Sequence, residues 1–237
     1  MNKKLKTSLF LIPSNIADND LFQHVSPYNI KISHSLKHFI VENARTARRY
    51  LKAIHYPYSF DEVWMRSLNE HNQFDVDSEL LLPCFSGHNV GLLSEAGTPC
   101  VADPGYTIVR LAHQSGIRVV PLSGYSSIIQ ALMASGLNGQ NFCFHGYLPV
   151  KPNELKVCLK KIEKQAASGQ TQIFIETPYR NNRMLEIILS ICNNQTLLCV
   201  ATDISGDNER IIVMSISEWK KKKIDLKVMP SVFLLGM

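Results

Sequence analysis

Val90-Gly91-Leu92-Leu93-Ser94-Glu95-Ala96-Gly97-Thr98-Pro99-Cys100-Val101-Ala102-Asp103-Pro104-Gly105 is the stretch that decides how this chain is read. Val90 to Leu93 is continuously apolar, as expected of a parallel strand buried on both faces. A helix is expected beyond it, with Asp103 as N-cap, Pro104 at the first helical position, Ile108, Val109, Leu111 and Ala112 facing inward, and Gly116 just past its end. Residues 117–122 read as the next strand. Together these make one βαβ unit, and its right-handed crossover puts the linking loop at the carboxyl end of the strand, where open α/β sheets bind ligands. Gly97 and Gly105 allow close backbone approach, Ser94 and Thr98 offer hydroxyls, and Glu95 and Asp103 can accept from amino or ribose groups. Gly, Pro and Asp also build plain turns. The loop exceeds the roughly two to six residues that usually close such a unit, which favours a ligand cradle.

Similar alternation runs outward in both directions. On the N-terminal side, Ser8 to Pro13 reads as a buried strand entering a loop, and residues 39–41 as a second strand. Residues 43–54 have helical period, with Ala44, Ala47, Leu51 and Ile54 inward and Arg45, Arg48, Arg49 and Lys52 outward. Residues 56–77 are weakly patterned and read as loop with a helical turn near Trp64. Further along come a helix at 126–135 ending at Gly136, a strand at 141–147, a basic amphipathic helix at 153–167, a strand at 171–177, a helix at 178–192 and strands at 196–204, 210–215 and 231–236. The expected class is α/β, in two domains, 1–121 and 122–237, divided near Pro121 to Ser123.

With 237 residues and 45% hydrophobic content the chain can bury a real core. Its apolar runs fall far short of the roughly 20 residues that span a bilayer, so no membrane association is expected, and the basic start lacks a secretory pattern. Six cysteines without a C-x-x-C pair argue against zinc and for a reducing cytoplasm. His34 and His38 alone have i,i+4 spacing and read as surface residues; no metal is expected. The four lysines 220–223 read as a solvated turn. A net charge of +5 permits an anionic partner without demanding one. The stripe of Arg45, Arg48, Arg49 and Lys52 could follow an RNA backbone, although such faces also occur in proteins that bind no nucleic acid.

The chain has no Walker phosphate loop, no G-x-G-x-x-G and no G-x-S-x-G, which removes the commonest nucleotide and hydrolase readings. Leu93 to Pro99 and Ala102 to Tyr106 instead resemble the S-D-A-G-T-P and D-P-G-Y blocks of the tetrapyrrole-methylase superfamily, on its RsmI-type ribosomal-RNA methyltransferase branch. The likeness continues through Val119-Val120-Pro121-Leu122-Ser123-Gly124, Ala131 to Leu137, Phe144-His145-Gly146-Tyr147-Leu148-Pro149 and Ile175-Glu176-Thr177-Pro178-Tyr179-Arg180. Glu42-Asn43-Ala44-Arg45 stands where that family has E-D-T-R.

This resemblance implies the two-domain tetrapyrrole-methylase fold with S-adenosylmethionine in a cleft between the domains. It sets the methionine and ribose end against Ser94, Glu95, Ala96, Gly97, Thr98 and Asp103, with Pro13 from the first loop, and the adenine near Gly124, Ser126, Ser127, Tyr147 and Ala201. Glu42, Arg45, Glu176 and Arg180 match the family's polar motifs and are the candidate catalytic residues; an Arg–Glu pair tying the domains together explains them nearly as well. Ribose 2′-O-methylation of a cytidine in small-subunit ribosomal RNA is the implied activity, and a homodimer the implied assembly. A small-molecule acceptor, or binding of S-adenosylmethionine or RNA without turnover, are the alternatives. Departures from the family are Glu95 for Asp, Asn43-Ala44 for Asp-Thr, Ser123 for Pro, Pro13 to Asp18 for P-x-P-I-G-N, Asp203-Ile204-Ser205-Gly206 for E-L-T-K, and no C-terminal extension.

Overall fold

Parallel strands in the first half and a mixed sheet in the second organise the chain, seen here in a computed structural model that describes residues 7–17, 25–68, 78–226 and 228–237. The basic start at residues 1–6, Asp18 and most of the weakly patterned stretch, 69–77, lie outside the described residues. The chain separates into two compact units, Met1–Ser126 and Ser127–Met237.

In the first unit, β1 (Ser8–Ile12), β2 (His38–Val41), β3 (Trp64–Ser67), β4 (Val90–Leu93) and β5 (Arg118–Pro121) form a sheet in the order β3-β2-β4-β1-β5, every pairing parallel. Strand alternation sends side chains to two cores. Ile12, Phe39, Val41 and Leu93 face one side, where α1 (Pro27–His34) and α2 (Ala44–Ala53) pack. Leu9, Ile40, Val90 and Leu92 face the other, covered by α3 (Leu82–Phe85) and α4 (Tyr106–Gln114). The chain thus leaves β1 toward one face and neighbouring β4 toward the opposite face. That is a topological switch point, and it leaves a crevice at the carboxyl ends of β1 and β4.

Central β4 is buried throughout, as its apolar run anticipated. Two local expectations need correction. The helix after the loop starts at Tyr106, with Gly105 as N-cap and no side-chain cap. Asp103 makes an Asx-type bond to the Gly105 N–H, 2.6 Å, which pins the loop instead of opening the helix at Pro104. Around Trp64 there is no helical turn: a 3-10 turn at Phe60–Glu62 leads into β3, an edge strand half-exposed over its first two residues and exposed over the last two, whose weak pattern hides its period.

In the second unit, β6 (Phe142–Tyr147), β7 (Thr171–Glu176), β8 (Leu197–Thr202), β9 (Arg210–Ser215) and β10 (Ser231–Gly236) form a sheet in the order β6-β7-β10-β8-β9. Strands β6 and β7 run parallel, joined by α6 (Pro152–Ala167), while β10 inserts antiparallel between β7 and β8, and β9 is antiparallel to β8. Its main core gathers Leu155, Leu159, Phe174, Phe233 and Trp219, with α7 (Asn181–Ile191) and α8 (Ile216–Trp219) supplying more of it. The rings of Phe174 and Phe233 stack at 5.5 Å, and the Trp219 indole N–H donates to the Leu198 carbonyl, 2.9 Å. Helix α5 (Ser127–Ser135) packs against β9 and β10. The stretch at 178–192 is a 3-10 turn, Pro178–Arg180, followed by α7. The lysines 220–223 are all exposed.

Candidate functional site

Four strand ends of the first unit converge on the loop 94–105. The Ser14 N–H donates to the Gly97 carbonyl, 3.0 Å, joining the loop after β1 to the loop after β4. The buried Ser94 hydroxyl donates to the same carbonyl, 2.5 Å, and lies 3.3 Å from the Ser14 hydroxyl. From the end of β2, a Glu42 carboxylate oxygen accepts the Glu95 N–H, 3.0 Å. From the end of β5, the Ser123 carbonyl accepts from the Asn29 amide, 2.6 Å, and Gly124 lies so close to Pro13 that a Cβ would stand 2.2 Å from the proline Cβ. A side chain of any kind at Gly124 would drive the two loops apart.

The loop itself is held in an unusual backbone state. Gly97 has φ +72, Cys100 φ +69 and Ala102 φ +60, three left-handed residues within six positions, two of them not glycine. Each such non-glycine residue costs about 1–2 kcal/mol, and strain of this kind gathers at ligand sites. A Cβ at Gly97 would meet the Ile16 side chain at 3.0 Å and the Tyr125 carbonyl at 3.3 Å. Asp103 answers part of the strain through its bond to Gly105. Burial pushes its carboxyl above the ordinary 3.8, against the pull of the Gly105 and Cys100 backbone N–H groups. Burial, with Asp103 beside it, also pushes the Cys100 thiol up to about 12, so that cysteine is no nucleophile near neutral pH.

Of the residues expected to hold a cofactor, Pro13, Ser94, Glu95, Ala96, Gly97, Thr98, Asp103, Gly124 and Ser126 lie in the first unit at these converging strand ends. Glu95, Ala96 and Gly124 are exposed there, Thr98 and Asp103 half-buried. Ser127, Tyr147 and Ala201 belong to the second unit: Ser127 opens α5, Tyr147 closes β6 with its ring 58% exposed, and Ala201 is fully buried within β8. Among the expected catalytic residues, Glu42 and Arg45 sit at the end of β2 and the start of α2. Glu176 and Arg180 are in the second unit at the end of β7, bonded to each other: one Glu176 oxygen accepts from Arg180 Nε, 2.9 Å, from Arg180 Nη2, 2.5 Å, and from the Thr177 N–H, 2.6 Å. That ion pair is internal to one unit, which corrects the reading of it as a tie between domains.

Sequence reading missed Ser14, Ile16 and Asn29, which brace the loop from elements over 60 positions away. Only the small polar residue directly after β1, at the switch point, carried a signal. The loop carries two carboxylates and no base between residues 94 and 105, so its charge suits a cationic ligand. Among the described residues, no group of three or more His, Cys, Asp or Glu could hold a metal ion, and no helix is long and apolar enough to cross a membrane.

A strained loop braced at a switch point narrows the choice of relatives, and the family of Tetrapyrrole (Corrin/Porphyrin) Methylases matches residues 33–220. The chain belongs to this family. Similar proteins include ribosomal RNA small subunit methyltransferase I of Escherichia coli O157:H7, 36% identical over 66% of this chain and 54% of that protein. The Pseudomonas aeruginosa protein of the same name is 28% identical over 89% of this chain and 71% of its own length. The Mesorhizobium japonicum one is 44% identical over 47% and 37%. The chain spans about half the length of the first of these relatives. Among solved structures, the methyltransferase CobJ shares the fold with a TM-score of 0.65 at 17% identity, covering 98% of this chain and 94% of that one. For this tetrapyrrole methylase, the braced loop 94–105 is the family's glycine-containing block in three dimensions.

Proposed function

We propose that this tetrapyrrole methylase transfers a methyl group from S-adenosylmethionine to RNA, the acceptor being a ribose 2′-hydroxyl of a cytidine in small-subunit ribosomal RNA. The observation that carries the reading is the strained, acidic loop 94–105 pinned by Ser14, Glu42 and Asp103 at the switch point of a parallel sheet. The cofactor brings a methyl already activated on a sulfonium, so the protein's work is alignment, exclusion of water and handling of one proton. Exposed backbone at Glu95, Ala96 and Gly124 can meet the nucleoside, with the Thr98 hydroxyl and the Glu95 and Asp103 carboxylates as acceptors for its hydroxyl and ammonium groups. Pro13 and Gly97 keep that backbone in place, and Ser126, Ser127 and Tyr147 are the candidates beside the adenine. Ala201, fully buried, serves only through its strand.

An oxygen acceptor must lose its proton as the new C–O bond forms and the C–S bond breaks. Glu42 is the carboxylate held directly on the loop, and Arg45 follows it on the first turn of α2. These two form the candidate acceptor corner. Glu176, with one oxygen already taking three donors, is a positioning residue that fixes the Arg180 guanidinium. The relatives' printed names support the RNA acceptor, and a cytoplasmic homodimer is the accompanying proposal. The experiment is transfer of radiolabelled methyl groups to small-subunit RNA from cells lacking the protein, followed by nucleoside mapping. Label on a cytidine ribose supports the reading in full. Calorimetric binding of the cofactor with no label in RNA would reduce the protein to a sensor or assign it a small-molecule acceptor. Absence of cofactor binding would end the methyltransferase reading.

A further inference from the structure

Helix α2 carries Arg45, Arg48, Arg49 and Lys52 on one exposed face and no acidic residue at any position. Its other face, with Ala47, Tyr50 and Leu51, is buried in the core, so the helix cannot turn those charges elsewhere. The four cations are i,i+3 and i,i+4 neighbours of one another, a self-repelling arrangement that a merely solvated helix relieves with interspersed Glu. Helix α6 shows that relief, with Glu154 and Glu163 among its lysines. None of the four α2 cations makes an ion pair among the described residues. Arg48 instead has its guanidinium over the Phe60 ring, 5.8 Å from the centroid, which orients the group and leaves its N–H donors unclaimed by any carboxylate.

Position adds a second argument. Helix α2 begins at Ala44, two residues after the Glu42 carboxylate that holds the Glu95 N–H, so the basic row starts at the acceptor corner and runs away from it. Arg45 and Lys52 are seven residues apart, about 10 Å along the axis, which matches roughly three phosphates of one strand at about 3.4 Å each. An uncompensated cationic row of this length, starting at a site that needs a polyanionic acceptor, has a matching occupant. We propose that the exposed face of α2 is the track on which the phosphate backbone of the RNA acceptor docks as its target nucleotide reaches the Glu42–Glu95 corner. This rests on the RNA reading of the function and deepens it.

The test is filter binding of small-subunit ribosomal RNA over a salt series, with wild type, R48Q/R49Q/K52Q and, as a charge-matched control on α6, K156Q/K160Q/K164Q. Arg45 is left intact because it belongs to the candidate catalytic corner. The α2 triple variant is expected to flatten the slope of log affinity against log salt by about two, at about 0.7 for each phosphate contact removed. Its calorimetric affinity for S-adenosylmethionine should stay at the wild-type value, which shows that the fold survives, and K52Q alone should take about one third of the slope change. The α6 variant should keep the wild-type slope. Wild-type slope and affinity in the α2 variant, or equal loss in the α6 variant, overturns the track while leaving methyl transfer to RNA standing. A wild-type protein that binds the cofactor but neither binds nor labels RNA overturns both. Loss of binding to anionic phospholipid vesicles with RNA binding intact gives the face to a lipid surface and also overturns the proposal.

Discussion

Replacing Gly124 with alanine tests whether the first loop and the β5 end are pressed together for a purpose. Gly124 lies outside the left-handed region, so backbone strain does not enter, and the cost is purely steric. Its Cβ would stand 2.2 Å from Pro13 Cβ and 2.4 Å from Pro13 Cγ. Carbon atoms rest about 3.5–4.0 Å apart, so one segment must retreat by more than about 1 Å. A proline ring has no rotamer with which to yield, and overpacking of this kind costs about 1–3 kcal/mol. The retreat pulls on the neighbouring Ser14 N–H and its bond to the Gly97 carbonyl, the brace of the cofactor loop. Urea denaturation should therefore show a loss of about 2 kcal/mol, and calorimetry a weakening of S-adenosylmethionine binding by at least about tenfold, or 1.4 kcal/mol. Gly139→Ala, where nothing lies within 4 Å, should lower neither stability nor affinity. A Gly124→Ala protein as stable and as tightly binding as Gly139→Ala would refute this reasoning.

Further outcomes follow from the same geometry. Gly97→Ala places an L side chain at φ +72 and 3.0 Å from Ile16, and should lose about 2 kcal/mol in denaturation together with most cofactor affinity; unchanged binding would dissociate the loop from the ligand. Glu176→Ala leaves Arg180 without its acceptor. Breaking a buried pair costs about 3–5 kcal/mol, reduced here to about 2–3 because Arg180 is 31% exposed, while Glu176→Gln should cost less. Equal stability of the two variants contradicts the ion-pair account. Asp103 has its carboxyl raised by burial above 3.8, so the folded state holds that proton more firmly than the unfolded chain does. The resulting contribution to stability is complete below the unfolded pKa and is lost as pH rises through the folded one. Asp103→Asn, which keeps an acceptor for Gly105, should remove that decline from the pH–stability profile, and a profile identical to wild type would count against it.

Much of the fold was legible because its signals are local. The all-apolar run Val90–Leu93 could be read as a doubly covered strand, β9 and β10 begin and end where their patterns do, and Gly116 and Gly136 close their helices at φ +71 and +68. Helix α1 was illegible for a physical reason: it buries Asn29 and Ser33, polar residues that carry no hydrophobic period, and Asn29 is there to reach the Ser123 carbonyl. Edge strand β3 hides behind half-exposed Trp64 and Met65. Asp103 was read correctly as a local acceptor two residues ahead, but the same bond serves an Asx turn as well as a helix cap, so the helix start was misplaced. The glycines at 97, 105 and 124 were visible as permissive positions. Their partners Ile16, Tyr125 and Pro13 were not, because close approach between loops depends on strand order, and strand order leaves no mark in the spacing.

Hydrogen–deuterium exchange, with and without saturating S-adenosylmethionine, addresses most directly the claim that the loop after β4 is the cofactor cradle. Peptides covering residues 94–105 and 122–126 are predicted to slow on binding, while those over β3 and the lysines 220–223 keep their free rates. Saturable binding that leaves residues 94–105 exchanging as before would contradict the claim.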